Sequence, residues 1–99
     1  MKTYLVIIEK APNNYGAFSP DVLGCVSSGN TVEETLKEFR EALQAHIELM
    51  LEDGEKIPVP RPVQDHIESY RREDVELDGH EFIWAFIPTE DVVPEHSTV

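Results

Sequence analysis

The segment that decides the fold is residues 31–53, TVEETLKEFREALQAHIELMLED. Its apolar residues recur at intervals of three or four, as in a helix with one apolar face: Val32, Leu36, Phe39, Leu43, Ile47 and Met50. Thr31 and Glu34 form a capping-box pattern at its start. Gly54 follows its last turn, where glycine takes the left-handed conformation without strain. The segment therefore predicts one long helix that packs its apolar face on a sheet.

The composition indicates a single acidic domain. Its 99 residues include 20 acidic and 8 basic ones, a formal charge of −12, which argues against nucleic-acid binding by this chain alone because phosphate contacts need clustered lysine and arginine. The one cysteine, Cys25, excludes an internal disulfide, offers no zinc ligand set, and is expected to be a small buried side chain. Apolar runs are too short for a membrane span or a secretory signal. We expect a cytoplasmic protein whose charge suits a basic partner.

Three short strands are predicted before the helix, at residues 3–9, 15–19 and 25–28. The first, TYLVIIE, has no polar alternation, which is typical of a strand in the centre of a sheet. Turn residues separate the strands at residues 11–14 (APNN) and 20–24 (PDVLG). Connections this short predict an antiparallel meander.

The chain after the helix begins with an extended connector. Three prolines alternate in residues 57–62, IPVPRP, which fits neither a helix interior nor a central strand. Val63, Ile67 and Tyr70 then recur at helical spacing and make a short second helix possible. Residues 71–78 are mostly charged, and we expect a loop there.

A fourth strand completes the predicted sheet. Residues 80–87, HEFIWAFI, are apolar on both faces of a strand. We expect an α+β fold in which a helical crossover delivers this strand parallel to the first, in the order 3-2-1-4. The domain is expected to span residues 1–88, followed by a flexible tail at 89–99. Because one long helix covers only one face of this sheet, we also expect a homo-oligomer, a dimer or tetramer.

Residues 15–35, YGAFSPDVLGCVSSGNTVEET, followed by a long helix and EDGEKIPVP, resemble the HicB family of antitoxins. The similar pattern runs from Tyr4 to about Pro60, and the fourth strand fits it more loosely. The resemblance implies a partial ribonuclease H-like fold, assembly into dimers or tetramers, and binding and silencing of HicA, a small basic messenger-RNA nuclease. Many HicB proteins also carry a C-terminal DNA-binding module, for which the roughly dozen residues after the fourth strand are too few. We therefore expect no DNA binding by this chain alone.

Three acidic residues are candidates for contact with a basic partner. Asp21, Glu33 and Glu34 lie where the family pattern is densest, at one end of the predicted sheet and helix. Each also has a structural interpretation: Asp21 suits a turn, Glu34 closes the capping box, and Glu33 suits the positive end of a helix. Their contact role follows from the resemblance.

Catalysis and metal binding are not predicted. Two-metal phosphodiester hydrolysis needs converging carboxylates, but the first strand offers only Glu9 at its end and the fourth only Glu81 near its start. The remaining helix glutamates are expected on the solvent side. The histidines have neither ligand spacing nor a cysteine companion: His46, His66, His80 and His96. No cofactor is expected.

Two functions from different classes remain open. The first is a HicB-like antitoxin that binds and neutralises a basic HicA-like nuclease by masking its RNA-binding surface. The second is a stand-alone oligomeric module of the same fold that binds another protein or a small ligand, with no toxin partner and no catalysis. A short basic HicA-like reading frame beside this one would favour the first.

Overall fold

Four strands and two helices form an α+β fold in the computed structural model, which describes residues 2–72 and 82–94. In chain order these are β1 (Thr3–Lys10), β2 (Tyr15–Phe18), β3 (Val26–Gly29), α1 (Val32–Glu52), α2 (Val63–Arg72) and β4 (Phe82–Pro88), and a 3-10 turn (Thr89–Asp91) follows. The predicted meander, long helix and short second helix are confirmed. The loop predicted at 71–78 is wrong for residues 71–72, which belong to α2, and its other residues lie outside the described ranges.

The strands form one sheet in the order β3-β2-β1-β4, which confirms the predicted order. Every pair of neighbours is antiparallel. The predicted direction of the fourth strand is therefore wrong: β4 runs antiparallel to β1, with Phe82 opposite Glu9 and Pro88 opposite Thr3. A ribonuclease H-like relationship stays a prediction.

The direction of β4 follows from the path of the chain between α1 and β4, which runs along the sheet a second time. After α1 the connector lies at the start of β1, where the Tyr4 hydroxyl donates to the Pro58 carbonyl at 2.7 Å. Val63, the first residue of α2, lines a surface depression with Lys2 and Thr3 at the same end. A single helix would have led directly into a parallel strand. Because α2 intervenes, β4 instead begins opposite the far end of β1.

Helix α1 begins and ends at the capping residues that its sequence predicts. The Thr31 hydroxyl accepts the Glu34 backbone N–H at 3.0 Å, and Gly54 follows the helix with a φ of +73°, as the cap residues predict. Its buried side chains are Thr35, Phe39, Leu43 and Ile47. The helix lies mainly over β3 and β2, and its apolar stripe belongs to the same hydrophobic core as the β1 side chains Tyr4, Val6 and Ile8.

The face of the sheet away from α1 is buried at its centre. Leu5 and Ile7 alternate with the α1-facing residues of β1, and both are almost completely buried. The register continues this face as an apolar row from Val26 through Phe18 and Ile7 to Trp84. The expectation that this face is left uncovered is therefore wrong at its centre, while at the β3 edge Val26 is 67% exposed.

The segment after β4 packs on the domain. The Thr89 N–H donates to the Lys2 carbonyl at 3.0 Å, and Val92 and Val93 are buried in the hydrophobic core. This differs from the flexible tail predicted for residues 89–99, because two adjacent valines supply apolar area that the core takes up. Residues 95–99 lie outside the described ranges.

Candidate partner-binding site

Asp21, the first candidate contact, lies in the turn between β2 and β3 and points into the protein. Its side chain is 0% exposed. One carboxylate oxygen accepts the Leu5 backbone N–H at 2.9 Å, and the other accepts the Arg61 backbone N–H at 3.0 Å. Both donors lie far from Asp21 in the sequence, so this carboxylate joins β1 to the connector before α2.

His66 of α2 completes the buried cluster around Asp21. The imidazole is 1% exposed, and its Nε2 lies 3.1 Å from the Asp21 Oδ1, at ion-pair distance but outside hydrogen-bond geometry. Its Nδ1 lies 3.2 Å from the Arg61 Nη2. Because a guanidinium only donates, Nδ1 must accept, which assigns the proton of a neutral ring to Nε2, facing the carboxylate. The Arg61 Nε lies 3.9 Å from the same carboxylate oxygen.

Ser19 performs the turn role that the sequence assigned to Asp21. The Ser19 hydroxyl accepts the backbone N–H groups of Asp21 at 3.1 Å and Val22 at 3.3 Å. The Asp21 carboxylate is thereby left for its distant partners. Sequence analysis missed Arg61 and His66 because no local pattern marks a contact across 40 positions.

Asp21 is consequently a structural residue, and its proposed role as a surface contact does not hold. A buried carboxylate that satisfies two backbone donors holds segments together, and charge-assisted hydrogen bonds of this kind contribute about 1.5–3 kcal/mol each. The cluster ties β1, the β2–β3 turn, the connector and α2 to one another. The structure does not bring Asp21 onto a common surface with Glu33 and Glu34.

Glu33 and Glu34 lie in the first turn of α1, and both are exposed. Glu34 uses its backbone N–H for the cap with Thr31, so its carboxylate is not needed for that bond. Glu33 borders a shallow depression together with Leu36, Lys37 and Arg40. The accessible carboxylates at this end of the helix are therefore the remaining candidates for a contact.

The exposed surface of α1 continues this acidic character along its length. Its exposed carboxylates are Glu33, Glu34, Glu38, Glu41, Glu48 and Glu52. Their exposure confirms the prediction that the charged residues of the helix face solvent. Within the described ranges, no group of three or more His, Cys, Asp or Glu side chains is arranged to hold a metal ion.

Two buried groups have altered acidity. Burial, with a smaller contribution from the Asp21 charge, raises the pKa of Tyr4 to about 12. Burial also raises the pKa of the Cys25 thiol. Cys25 is 4% exposed and belongs to the hydrophobic core, which confirms its predicted structural role. Among the described helices, none has the length and apolarity that a membrane crossing requires.

The fold is that of the N-terminal domain of HicB antitoxins. Superposition on this domain of the Burkholderia pseudomallei antitoxin HicB gives a TM-score of 0.66 at 25% identity, and covers 87% of this chain and 95% of that one. The chain belongs to the family of HicB-like antitoxins of bacterial toxin–antitoxin systems, whose sequence model matches residues 4–95.

The chain is similar to further proteins, among them two from toxin–antitoxin systems. In a HicA3 and HicB3 toxin–antitoxin complex, one chain matches with a TM-score of 0.66 at 28% identity, covering 87% of this chain and 95% of that chain. Antitoxin HicB 1 of Photorhabdus laumondii is 42% identical over 67 residues, 66% of this chain and 43% of that protein. An uncharacterized 14.9 kDa protein of Haemophilus phage HP1 is 42% identical over 64 residues, 65% of this chain. The chain spans 48% of this phage protein.

Proposed function

We propose that this chain is the antitoxin of a toxin–antitoxin pair, and that it binds and neutralises a basic HicA-like messenger-RNA nuclease. The observation that carries the proposal is the family match over residues 4–95. The likeness to a chain of the HicA3 and HicB3 complex supports a toxin of the HicA kind. The chain itself acts by binding and has no catalytic role.

Charge supplies the physical basis of the interaction. A chain of net charge −12 attracts a basic nuclease over a distance and speeds encounter, an effect that salt weakens. Carboxylates at the nuclease's RNA-binding surface take positions that phosphates would otherwise occupy. Neutralisation then requires only that the antitoxin masks this surface.

Glu33 and Glu34 are the proposed contact residues. They are exposed and adjacent, and they stand at the end of a helix that rests on the sheet. Asp21 contributes indirectly, because its hydrogen bonds hold the connector and the start of β1 together. The proposal therefore separates two contact residues from one structural residue.

Charge reversal at matched positions tests the contact. We expect Glu33→Lys with Glu34→Lys to slow association with a HicA-like nuclease from the same genome and to weaken rescue of toxin-inhibited growth. The control is Glu48→Lys with Glu52→Lys, which makes the same charge change on exposed residues at the other end of α1. Equal slowing by both pairs would show that net charge alone steers encounter. Unchanged association and rescue by the first pair would place the contact elsewhere.

Cellular location, self-association and DNA binding are three further properties of the proposed antitoxin. We propose that the protein acts in the cytoplasm as a homo-oligomer, and that this chain alone does not bind operator DNA. Eight basic against 20 acidic residues leave little positive charge for phosphates. A gel-shift titration at low salt with DNA from upstream of the gene should show no discrete complex. A salt-sensitive band would contradict this part of the proposal.

A further inference from the structure

β3 forms an outer edge of the sheet that the described residues make. Within those residues, β3 pairs with β2 on one side, from Val26 to Gly29, and α1 lies across one of its faces. The strand sequence, VSSG, contains no charged residue and no proline, which are two of the devices by which edge strands discourage pairing. The N–H and C=O groups that β3 points away from β2 therefore suit pairing with a strand of another molecule.

Helix α1 holds this edge in place. The Ser27 hydroxyl donates to the Thr35 carbonyl at 2.9 Å. A Cβ at Gly29 would lie 2.8 Å from the Thr35 Oγ1, so the helix and the strand approach each other closely. An edge that is already ordered loses little conformational entropy when a partner strand adds to it.

The side chains along this edge change from apolar to acidic. Leu23, three positions before the strand, is 83% exposed, and Val26 at the first position of the strand is 67% exposed. The half-buried Phe18 of β2 lies opposite Val26 and extends the apolar end. Beyond the strand come the exposed Glu33 and Glu34 of α1. The edge therefore suits a segment that carries apolar residues at one end and basic residues at the other.

We propose that an extended segment of the basic nuclease adds to the outer edge of β3 as a further strand. Apolar side chains of this segment lie on Leu23 and Val26, and its lysine or arginine side chains reach Glu33 and Glu34. The inference rests on the proposed function and deepens it, because it adds a paired strand and an apolar contact to the two acidic residues. In such strand additions the main-chain hydrogen bonds supply affinity, and the flanking side chains select the partner.

Charge decides in favour of a basic partner over a second copy at this edge. Residues 23–34, LGCVSSGNTVEE, contain two glutamates and no lysine or arginine. The same segment of a second copy therefore supplies no positive charge to Glu33 and Glu34, and two chains of net charge −12 repel each other. A segment with lysine or arginine instead pairs its charges with the two glutamates, which speeds its association.

Matched substitutions test the apolar contact. Leu23→Ala with Val26→Thr removes exposed apolar area, keeps a β-branched residue in the strand, and should weaken binding to a HicA-like nuclease from the same genome about tenfold. The control, Leu49→Ala with Val59→Thr, makes the same changes at residues of α1 and the connector that are 58% and 60% exposed. It should bind within about twofold of the wild type, and both variants should keep the wild-type urea midpoint because all four side chains are exposed. Equal weakening by the two variants would contradict the inference.

Amide hydrogen exchange tests the strand itself. The β3 amides that point away from β2 should exchange rapidly in the free chain, and about tenfold or more slowly in the complex with the nuclease, because each then has a carbonyl partner. The β3 amides that pair with β2 are the internal reference and should change little. Weaker binding of the Leu23 and Val26 variant without protection of the outward amides would show a contact of side chains only, and would overturn the inference.

Three further outcomes separate this inference from the proposed function. If the nuclease binds the wild type and the Leu23 and Val26 variant equally, and β3 exchange stays unchanged, the inference fails and the proposed function stands. If the outward amides of the free chain become protected as its concentration rises, a second copy occupies the edge and the inference fails. If the wild-type chain binds no HicA-like nuclease, the proposed function and the inference fail together.

Discussion

The Asp21 carboxylate accepts the backbone N–H of Arg61 at 3.0 Å across 40 positions of sequence. The same side chain satisfies Leu5 at the start of β1. A single buried carboxylate therefore holds the connector beside the start of β1, immediately before α2 begins. The sequence predicted a surface contact for Asp21, whereas in the folded chain its carboxylate holds two distant segments together.

Asp21→Asn should destabilise the domain by about 3 kcal/mol. The amide keeps one oxygen, which accepts one of the two backbone N–H groups, and its NH₂ group faces the other, so that N–H loses its partner. Urea unfolding measures the loss. Glu41→Gln, a similar change at an exposed position on α1, should cost only tenths of a kcal/mol. Equal losses in the two variants would show that Asp21 is not buried in solution.

Gly29→Ala should destabilise the domain by about 1–3 kcal/mol, since overpacking forces a backbone shift. A Cβ at Gly29 would lie 2.8 Å from the Thr35 Oγ1 and 2.9 Å from the Thr35 backbone nitrogen. Gly16→Ala on the neighbouring strand is the control, because its Cβ would lie 3.9 Å from the Ser27 carbonyl oxygen. The control should leave stability unchanged or raise it by about 0.5 kcal/mol. A harmless alanine at position 29 would mean that α1 sits further from β3 than described.

Phe39→Ala should cost about 3–5 kcal/mol, the range for emptying a buried aromatic position. Phe39 is completely buried in the stripe that α1 packs on the sheet. Guanidinium unfolding of this variant can be compared with Glu38→Ala, one position earlier and exposed. A similar midpoint for both would reverse the assignment of the helix faces.

Tyr4 should make the domain sensitive to alkali. Its folded pKa of about 12 lies above the ordinary 10.0, so its contribution is complete below pH 10 and is lost as pH rises from 10 to 12. At pH 11 the expected loss is about 1 kcal/mol relative to pH 8. Urea unfolding at both pH values measures it, and Tyr4→Phe should show a smaller drop. A drop of the same size in Tyr4→Phe would assign the effect to other groups.

Helix α1 and the strand order could be predicted because their signals are local. The apolar spacing around Phe39 and Leu43, the Thr31 cap and Gly54 all act within a few residues of one another. The order of the sheet followed from the same kind of information, since strands that are apolar on both faces occupy its centre. β1 does lie between two neighbours, whereas β4 is an outer strand of the sheet that the described residues form.

The direction of β4 and the buried cluster could not be predicted, because both depend on segments that meet only in the fold. Val63 and Ile67 marked α2 correctly, yet both side chains are exposed, whereas His66 is buried. A histidine between Asp65 and Ile67 gives no sign that a distant aspartate will face it. Without knowledge of that contact, the sequence provides no reason to expect that the chain runs along the sheet a second time or that β4 is antiparallel to β1.

The position of β1 has a consequence for synthesis of the protein on the ribosome. β1 is made before its partner β4, which begins only at Phe82, so the sheet cannot close until more than 70 further residues have been translated. Pairing across such a long separation is slow to form and leaves apolar edges uncovered in the meantime. The nascent chain therefore depends on the early hairpins and α1 to shield β1, and its vulnerability to proteases should end abruptly when β4 leaves the exit tunnel.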